Sequence, residues 1–179
     1  MRTDKLRKEF DLDIRLSVFP LHPETPEEGQ SLEDLFAGSY DIDAMMQRCK
    51  QVAAELDLPF GERTHTYNSR HAQELGKWAE EQGAGEAFHM AVYHAYYVDG
   101  CNIALPDKLA EIAESVGLDP DVALLTLDKG RYAAHVDDDW KRAKEFGISS
   151  IPTIVYQEHA LVGFQPYAHY RRLIDSATS

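Results

Sequence analysis

Helical periodicity fills the middle of this sequence and leaves room for β-strands only towards its two ends. Between Asp41 and Phe146, apolar residues recur at intervals of three and four, as they do on one face of an α-helix. β-branched or alternating runs stand before and after this block. A chain with this order folds most simply as a small α/β sheet whose halves are separated by a helical insert. We therefore expect an α/β protein with an insert at residues 41–146.

Capping residues divide the insert into successive helices. The first apolar stripe begins after Asp41, Asn68 can cap a second helix, and Asp119-Pro120 is typical of the start of a later one. Apolar positions on these stripes should form the core of the insert. The expected core residues are Met45, Val52, Leu75, Trp78, Val92, Leu109, Ile112, Val136 and Trp140.

The stretch from Gly147 to Gly163 predicts a β-hairpin that directly follows a helix. Gly147 suits the left-handed position just past a helix end. Pro152 precedes Thr-Ile-Val-Tyr, a β-branched and aromatic run, and a proline is tolerated at the first residue of a strand. A turn of about three residues then leads into Ala160-Leu161-Val162. By itself, this pattern requires only a strand that begins with proline.

The amino-terminal stretch predicts the end of a helix, a strand and an irregular loop. Leu6 and Phe10 stand at helical spacing, and Asp13–Phe19 alternates apolar and polar residues as a half-buried strand does. The three prolines between residues 20 and 26 exclude regular structure there.

Charge and composition exclude several classes of function. The 18 Lys and Arg against 31 Asp and Glu give a net charge of −13, which argues against nucleic acid or an anionic membrane surface as a partner. No apolar run is long enough to span a bilayer, no signal peptide pattern opens the sequence, and no zinc-binding histidine spacing occurs. With only two cysteines, far apart, we expect a reducing cytoplasmic setting and no metal site.

Neither cysteine is expected to be a nucleophile. Cys49 lies on the first apolar stripe of the insert, where a buried and inert thiol is the simpler interpretation. Cys101 follows Asp99 near a helix end, and both the helix dipole and the carboxylate disfavour a thiolate there.

Taken together, several segments resemble the DsbA-like thioredoxin-fold family, and most closely its FrnE-type oxidoreductases. Related groups are the 2-hydroxychromene-2-carboxylate isomerases and the kappa-class glutathione transferases. Residues 147–153 with 163–167 resemble the cis-proline loop and carboxyl-terminal half of this family. Residues 19–29 resemble its proline-rich segment, and residues 67–72 the start of an insert helix. The likeness covers nearly the whole chain, because further matches run through residues 95–119.

The resemblance implies a thioredoxin-like domain at residues 1–40 and 147–179, interrupted by the helical insert. It implies a cis Ile151–Pro152 bond, with Ile151, Pro152 and Asn68 lining one substrate groove, although Asn68 alternatively only caps its helix. Family members carry a C-x-x-C, or a single Cys or Ser, after a central first strand. By this comparison the chain starts inside the first helix, and the first strand and nucleophile, about 15–20 residues, are missing. We therefore expect no catalytic residue in this sequence.

Three functions remain open at this point. The first is a thiol–disulfide oxidoreductase without its catalytic cysteines. The second is a glutathione-dependent isomerase or transferase, with glutathione as a substrate held by the same loop and no other cofactor. The third is a non-catalytic module that retains the groove. The expected partners are thiol or disulfide substrates, and the fold alone does not distinguish these functions.

Overall fold

A computed structural model describes residues 2–177 of the chain. The described residues form two compact units, one from the chain up to Leu21 together with the stretch from Asp139 onward, the other from His22 to Asp138. In chain order the elements are α1 (Arg2–Phe10), β1 (Gln30–Ser31), α2 (Leu32–Phe36), α3 (Ile42–Ala54), β2 (His65–Thr66), α4 (Arg70–Glu81), α5 (Gly85–Tyr97), α6 (Pro106–Ser115), α7 (Pro120–Asp128), α8 (Ala133–Glu145), β3 (Thr153–Tyr156), β4 (His159–Val162) and α9 (Tyr167–Ala177). The predicted domain bounds stay a prediction, because compact packing does not test where an insert begins.

The unit from His22 to Asp138 is built around four helices that share one apolar cluster. Leu75 on α4, Leu109 on α6 and Ala123 on α7 are fully buried in it, and Phe88 brings α5 against them. The small side chains Ala79, Ala113 and Ala123 allow the helices to approach closely. The regular stripes of the sequence therefore identify the helices that bury most of the apolar surface.

The predicted core is confirmed at its centre and is looser at its edges. Leu75, Trp78, Leu109, Ile112 and Val136 are buried, while Met45, Val52, Val92 and Trp140 are half-buried. Met45 and Val52 both lie on α3, and no other helix or strand of the described residues packs extensively against that helix. The stripe on α3 is therefore only partly covered.

The second unit places the β3–β4 hairpin against α1 and α9. Leu6 of α1 and Tyr170 and Ile174 of α9 form its core, and Ile154 and Leu161 pack on them from the paired strands. Helix α1, the β3–β4 hairpin and the last helix, α9, all occur where the sequence predicts them. The turn has two residues instead of about three, and Gln157 takes a positive φ of 53° in it.

The predicted strand at Asp13–Phe19 is wrong. Residues 11–20 carry no regular secondary structure, and the sheets of the described residues consist only of β1 with β2 and β3 with β4. Alternation is a local property of the sequence, whereas a strand also requires a neighbour with which to form a ladder. Ile14 still packs against the Leu6 core, but Leu16 is 56% exposed.

Instead of a ladder, a buried carboxylate holds this segment. The Asp139 side chain on α8 is fully buried; its Oδ2 accepts a hydrogen bond from the Val18 backbone N–H at 3.0 Å and its Oδ1 accepts one from Arg15 Nη2 at 3.1 Å. The Arg15 side chain is 64% exposed, so solvent screens that ion pair. The bond to the buried Asp139 from the Val18 amide is therefore the stronger restraint on the segment.

Within residues 2–177, no helix combines the length and apolar character that a bilayer crossing requires. The same residues contain no group of three or more His, Cys, Asp or Glu side chains arranged to bind a metal ion.

We expect Asp139→Ala to destabilise the protein by about 1–3 kcal/mol, because it leaves the Val18 N–H without its acceptor. Urea unfolding of the variant measures the change in midpoint. Asp138→Ala is the matched control, since Asp138 is exposed and adjacent on the same helix, and it should leave the midpoint nearly unchanged. Equal effects of the two substitutions would contradict the restraint assigned to Asp139.

Candidate functional site

The loop before β3 presents Ile151 and Pro152 at the surface. The Ile151–Pro152 peptide bond is cis, in agreement with the prediction, and the Ile151 side chain is 49% exposed. On one side of the loop Thr153 Oγ1 donates to the Ser150 carbonyl at 2.6 Å. On the other side the Gly163 N–H donates to the Pro152 carbonyl at 2.7 Å and extends the β3–β4 pairing by one step. The loop is thus exposed but fixed at both ends.

One edge of β3 is open beside this loop. The pairing of Pro152 with Gly163 and the two-residue turn fix which backbone groups of β3 bond to β4, and by alternation those of Thr153 and Val155 point away from it. No strand of the described residues lies on that side. Nor do the Ile151 N–H and C=O form a hydrogen bond within residues 2–177. An extended chain segment could bond to this edge as an added strand does.

Asn68 lies in the unit from His22 to Asp138, where it joins the start of α4 to the loop at residues 22–29. Its Nδ2 donates to the Pro23 and Thr25 carbonyls at 3.1 and 2.9 Å, and its Oδ1 accepts from the Arg70 N–H at 2.9 Å. Ser69 occupies the N-cap position of α4 and makes no side-chain cap bond, so Asn68 performs the capping from one residue earlier. Both amide hydrogens are already used. Its place in a groove shared with Ile151 and Pro152 stays a prediction.

The loop that Asn68 holds is restrained at further points that sequence reasoning did not assign. Asn102 Nδ2 donates to the Glu27 carbonyl at 2.8 Å. Gly29 has a positive φ of 88°, and a Cβ atom there would overlap the Tyr67 ring, so only glycine fits. Thr25 is 2% exposed. The glycine and the two asparagines are residue types that often have such roles, and they can be seen in the sequence. Their partners, however, lie too far along the chain for a local pattern to pair them.

The prediction that Cys49 is buried is wrong, because this thiol is exposed on α3. The stripe on which it lies is amphipathic, but no other helix or strand of the described residues packs extensively against α3. Periodicity identifies an apolar face without showing what packs on it.

Cys101 is half-buried after the end of α5, and its surroundings shift its pKa in the direction that the sequence predicts. Burial raises the pKa of the Cys101 thiol; the carboxylates of Glu111 and Asp99 raise it further, and Lys108 opposes them. The contribution of Asp99 to the raised pKa could be predicted from the sequence. The larger contribution of burial could be recognised only from the packing in the structure. Neither cysteine lies at the amino end of a helix, where the dipole would lower a thiol pKa.

Comparison with known proteins places this geometry in a known fold. The sequence model for the DSBA-like thioredoxin domain matches residues 1–175. A probable DsbA oxidoreductase from Streptomyces coelicolor superimposes with a TM-score of 0.87 at 20% identity, over 99% of this chain and 82% of the other. No curated protein matches the sequence.

Two further structures are similar over 99% of this chain. A 2-hydroxychromene-2-carboxylate isomerase gives a TM-score of 0.72 at 19% identity and is covered over 85% of its length. A candidate protein disulfide isomerase from Nitrosomonas europaea gives 0.70 at 14% identity, with 88% covered. At these identities the likeness shows the fold alone, and it confirms the thioredoxin-like α/β class.

Asn68→Asp should loosen the loop at residues 22–29, because a carboxylate cannot donate to the Pro23 and Thr25 carbonyls. We expect hydrogen exchange in that loop to accelerate and the free energy of unfolding to fall by about 0.5–1.5 kcal/mol, the usual net contribution of a hydrogen bond that is not fully buried. The Arg70 N–H keeps its acceptor, so α4 itself should exchange as before. Unchanged exchange in the loop would show that the bridge contributes little.

The raised pKa of Cys101 predicts slow alkylation. In a Cys49→Ser background, iodoacetamide should react with a midpoint on the pH axis above that of a free cysteine, because only the thiolate reacts. Glu111→Gln should lower the midpoint by removing a like charge, and Lys108→Gln should raise it. Mass spectrometry across a pH series measures all three proteins. A midpoint below that of free cysteine would contradict the assignment.

Proposed function

The chain belongs to the family of DSBA-like thioredoxin domains, and from that premise we propose that it is a thiol–disulfide oxidoreductase domain of FrnE type. Its Ile151–Pro152 loop binds the thiol or disulfide substrate. Relatives of this kind act through a low-pKa thiolate that forms a mixed disulfide, which a second thiol resolves. We assign only the substrate-binding part of that mechanism to this chain, because it has a binding surface but no suitable thiol.

The observation that carries the proposal is the open backbone next to Pro152. The N–H and C=O of Ile151 are available, and the outer edge of β3 continues from them. A peptide, or the peptide-like backbone of glutathione, can satisfy these groups as an added strand would. Because only backbone groups take part, such binding does not depend on the side chains of the substrate. This suits an activity that acts on the disulfides of many different proteins.

The proposed absence of a nucleophile rests on both cysteines. Burial and neighbouring carboxylates raise the pKa of Cys101, so little of it is thiolate near neutral pH. Cys49 is exposed, but it lies in the second half of α3, away from the helix amino terminus that activates thiols. The sequence also contains no C-x-x-C. We therefore assign no catalytic residue, and we propose Ile151 and Pro152 as substrate-binding residues.

The test combines turnover with binding. We expect no reduction of insulin above the rate of dithiothreitol alone, both for the wild-type chain and for the Cys49→Ser/Cys101→Ser variant. Glutathione disulfide should nevertheless bind, with saturation-transfer NMR as the readout. Ile151→Glu should weaken that binding by about tenfold, because a carboxylate there repels an anionic ligand. Leu125→Glu, at a residue of similar exposure in the other unit, is the control.

Each outcome distinguishes the candidate functions. Turnover that disappears with the cysteines would show that one of them is the nucleophile. Binding that is absent, or equal in Ile151→Glu, would overturn the role of the loop. Binding of reduced glutathione in strong preference to its disulfide would favour the isomerase or transferase. Binding without any gain of activity when a dithiol segment is supplied would favour the non-catalytic module.

A further inference from the structure

A groove lies between α9 and β4, within the unit that contains both elements. Its volume is about 340 Å³, and Leu161 of β4 forms one wall. The other wall is a single stripe of α9, whose members stand three, four and seven positions after His169, as neighbours on one helix face do. These residues are His169, Arg172, Leu173 and Ser176. None of the lining residues belongs to the Ile151–Pro152 loop, so the groove is a site different from the proposed substrate site.

The α9–β4 groove combines apolar walls with an unpaired positive charge. Leu161 and Leu173 are half-buried and line it with hydrocarbon. Arg172 also lines the groove but is exposed, so its methylene stem covers apolar surface while the guanidinium stays in solvent. Within residues 2–177 this guanidinium has no ion-pair partner, whereas the Arg171 Nε binds Glu9 Oε1 at 2.9 Å. The charge of Arg172 is therefore available to an anion.

Hydrogen bonds hold the His169 ring in a fixed orientation beside this charge. The His169 Nδ1 lies 3.2 Å from Gln165 Oε1, and Gln165 Nε2 donates to the Val162 carbonyl at 2.9 Å. Because an amide oxygen can only accept, Nδ1 donates in this pair, and Nε2 has no hydrogen-bond partner in the described part of the chain. Gln165 thus connects β4 to α9 and fixes an imidazole that lines the groove.

The composition of the groove determines which class of ligand it suits. Apolar walls favour a hydrocarbon chain, and a guanidinium favours a carboxylate, to which it can donate two parallel hydrogen bonds. The chain as a whole has a net charge of −13 and repels anions, so an anion requires a local positive charge. Helix α9 supplies it, since the helix contains two arginines and a histidine but only one acidic residue, Asp175. An anion with an apolar body matches both features.

We propose that the α9–β4 groove binds a medium-chain fatty carboxylate. The hydrocarbon chain lies between Leu161 and Leu173, and the carboxylate accepts hydrogen bonds from Arg172. Because Arg172 is exposed, solvent screens this ion pair, and the dissociation constant is on the order of 0.1–1 mM. The inference rests on the groove alone and does not depend on the proposed function.

Titration of the full chain with octanoate, followed by the chemical shifts of backbone amides, tests the location of the site. The shifts should concentrate at Leu161 and at residues 169–176, and they should saturate. Hexanoate should bind about tenfold more weakly, because its chain buries two fewer methylene groups. Shifts that centre on Ile151 instead, or that increase without saturation, would overturn the proposal.

Substitutions separate the contribution of the charge from that of the apolar walls. Arg172→Gln should lower the affinity for octanoate about fivefold and leave the affinity for octanol unchanged, because only the carboxylate loses its partner. Arg171→Gln is the matched control, since Arg171 already pairs with Glu9 and does not line the groove, and it should change neither affinity.

Filling the groove provides a second test. Ser176→Trp, at an exposed position of α9, should abolish the binding of both octanoate and octanol, because the indole occupies the groove. Thermal unfolding shows whether each variant retains its fold. Unchanged affinity for octanoate in Arg172→Gln, or octanoate binding that persists in Ser176→Trp, would overturn the proposal.

Discussion

Backbone groups outside helices and sheets need hydrogen-bond partners, and this requirement shapes both units of the protein. The strands are only two to four residues long, and the stretch from residue 11 to residue 29 contains none. Side chains supply what a ladder would otherwise provide. Asp139 accepts from Val18 in one unit, and Asn68 and Asn102 donate to carbonyls of the proline-rich loop in the other. Asp139 is fully buried, so its loss leaves a desolvated backbone N–H without a partner and is costly, whereas Asn68 and Asn102 are half-buried and their loss costs less.

The helices could be predicted from the sequence because their signals are local. Asp41 and Asp119 cap α3 and α7 with their side chains, as their positions before apolar stripes indicate. The segment at Asp13–Phe19 failed for the opposite reason, since alternation specifies two faces but not a neighbour. The exposure of Cys49 could not be predicted either, because a stripe shows which face is apolar and not whether another element covers it.

The candidate site could be predicted mainly from the resemblance to a family, because the residue pattern alone says less about it. The composition around Pro152 required only a strand that begins with proline, and likeness to a family suggested the cis bond that the structure has. Asn68 was proposed both as a cap and as a groove residue; its hydrogen bonds support the cap and add a bridge to Pro23 and Thr25 that neither interpretation included. The hydrogen bond from Asn102 to the Glu27 carbonyl joins residues 75 positions apart, and no local sequence pattern pairs residues that far apart.

The bridges to the proline-rich loop also impose an order on its formation during synthesis. The chain leaves the ribosome from its amino terminus, so the loop emerges long before the side chains that hold it. Asn102 follows Glu27 by 75 residues, which at about 5–20 residues per second is a delay of roughly 4 to 15 seconds. Until then the Glu27 carbonyl is solvated by water, and proteases and chaperones can reach the loop. The nascent chain thus has a defined interval in which this loop lacks the hydrogen bond from Asn102 that later restrains it.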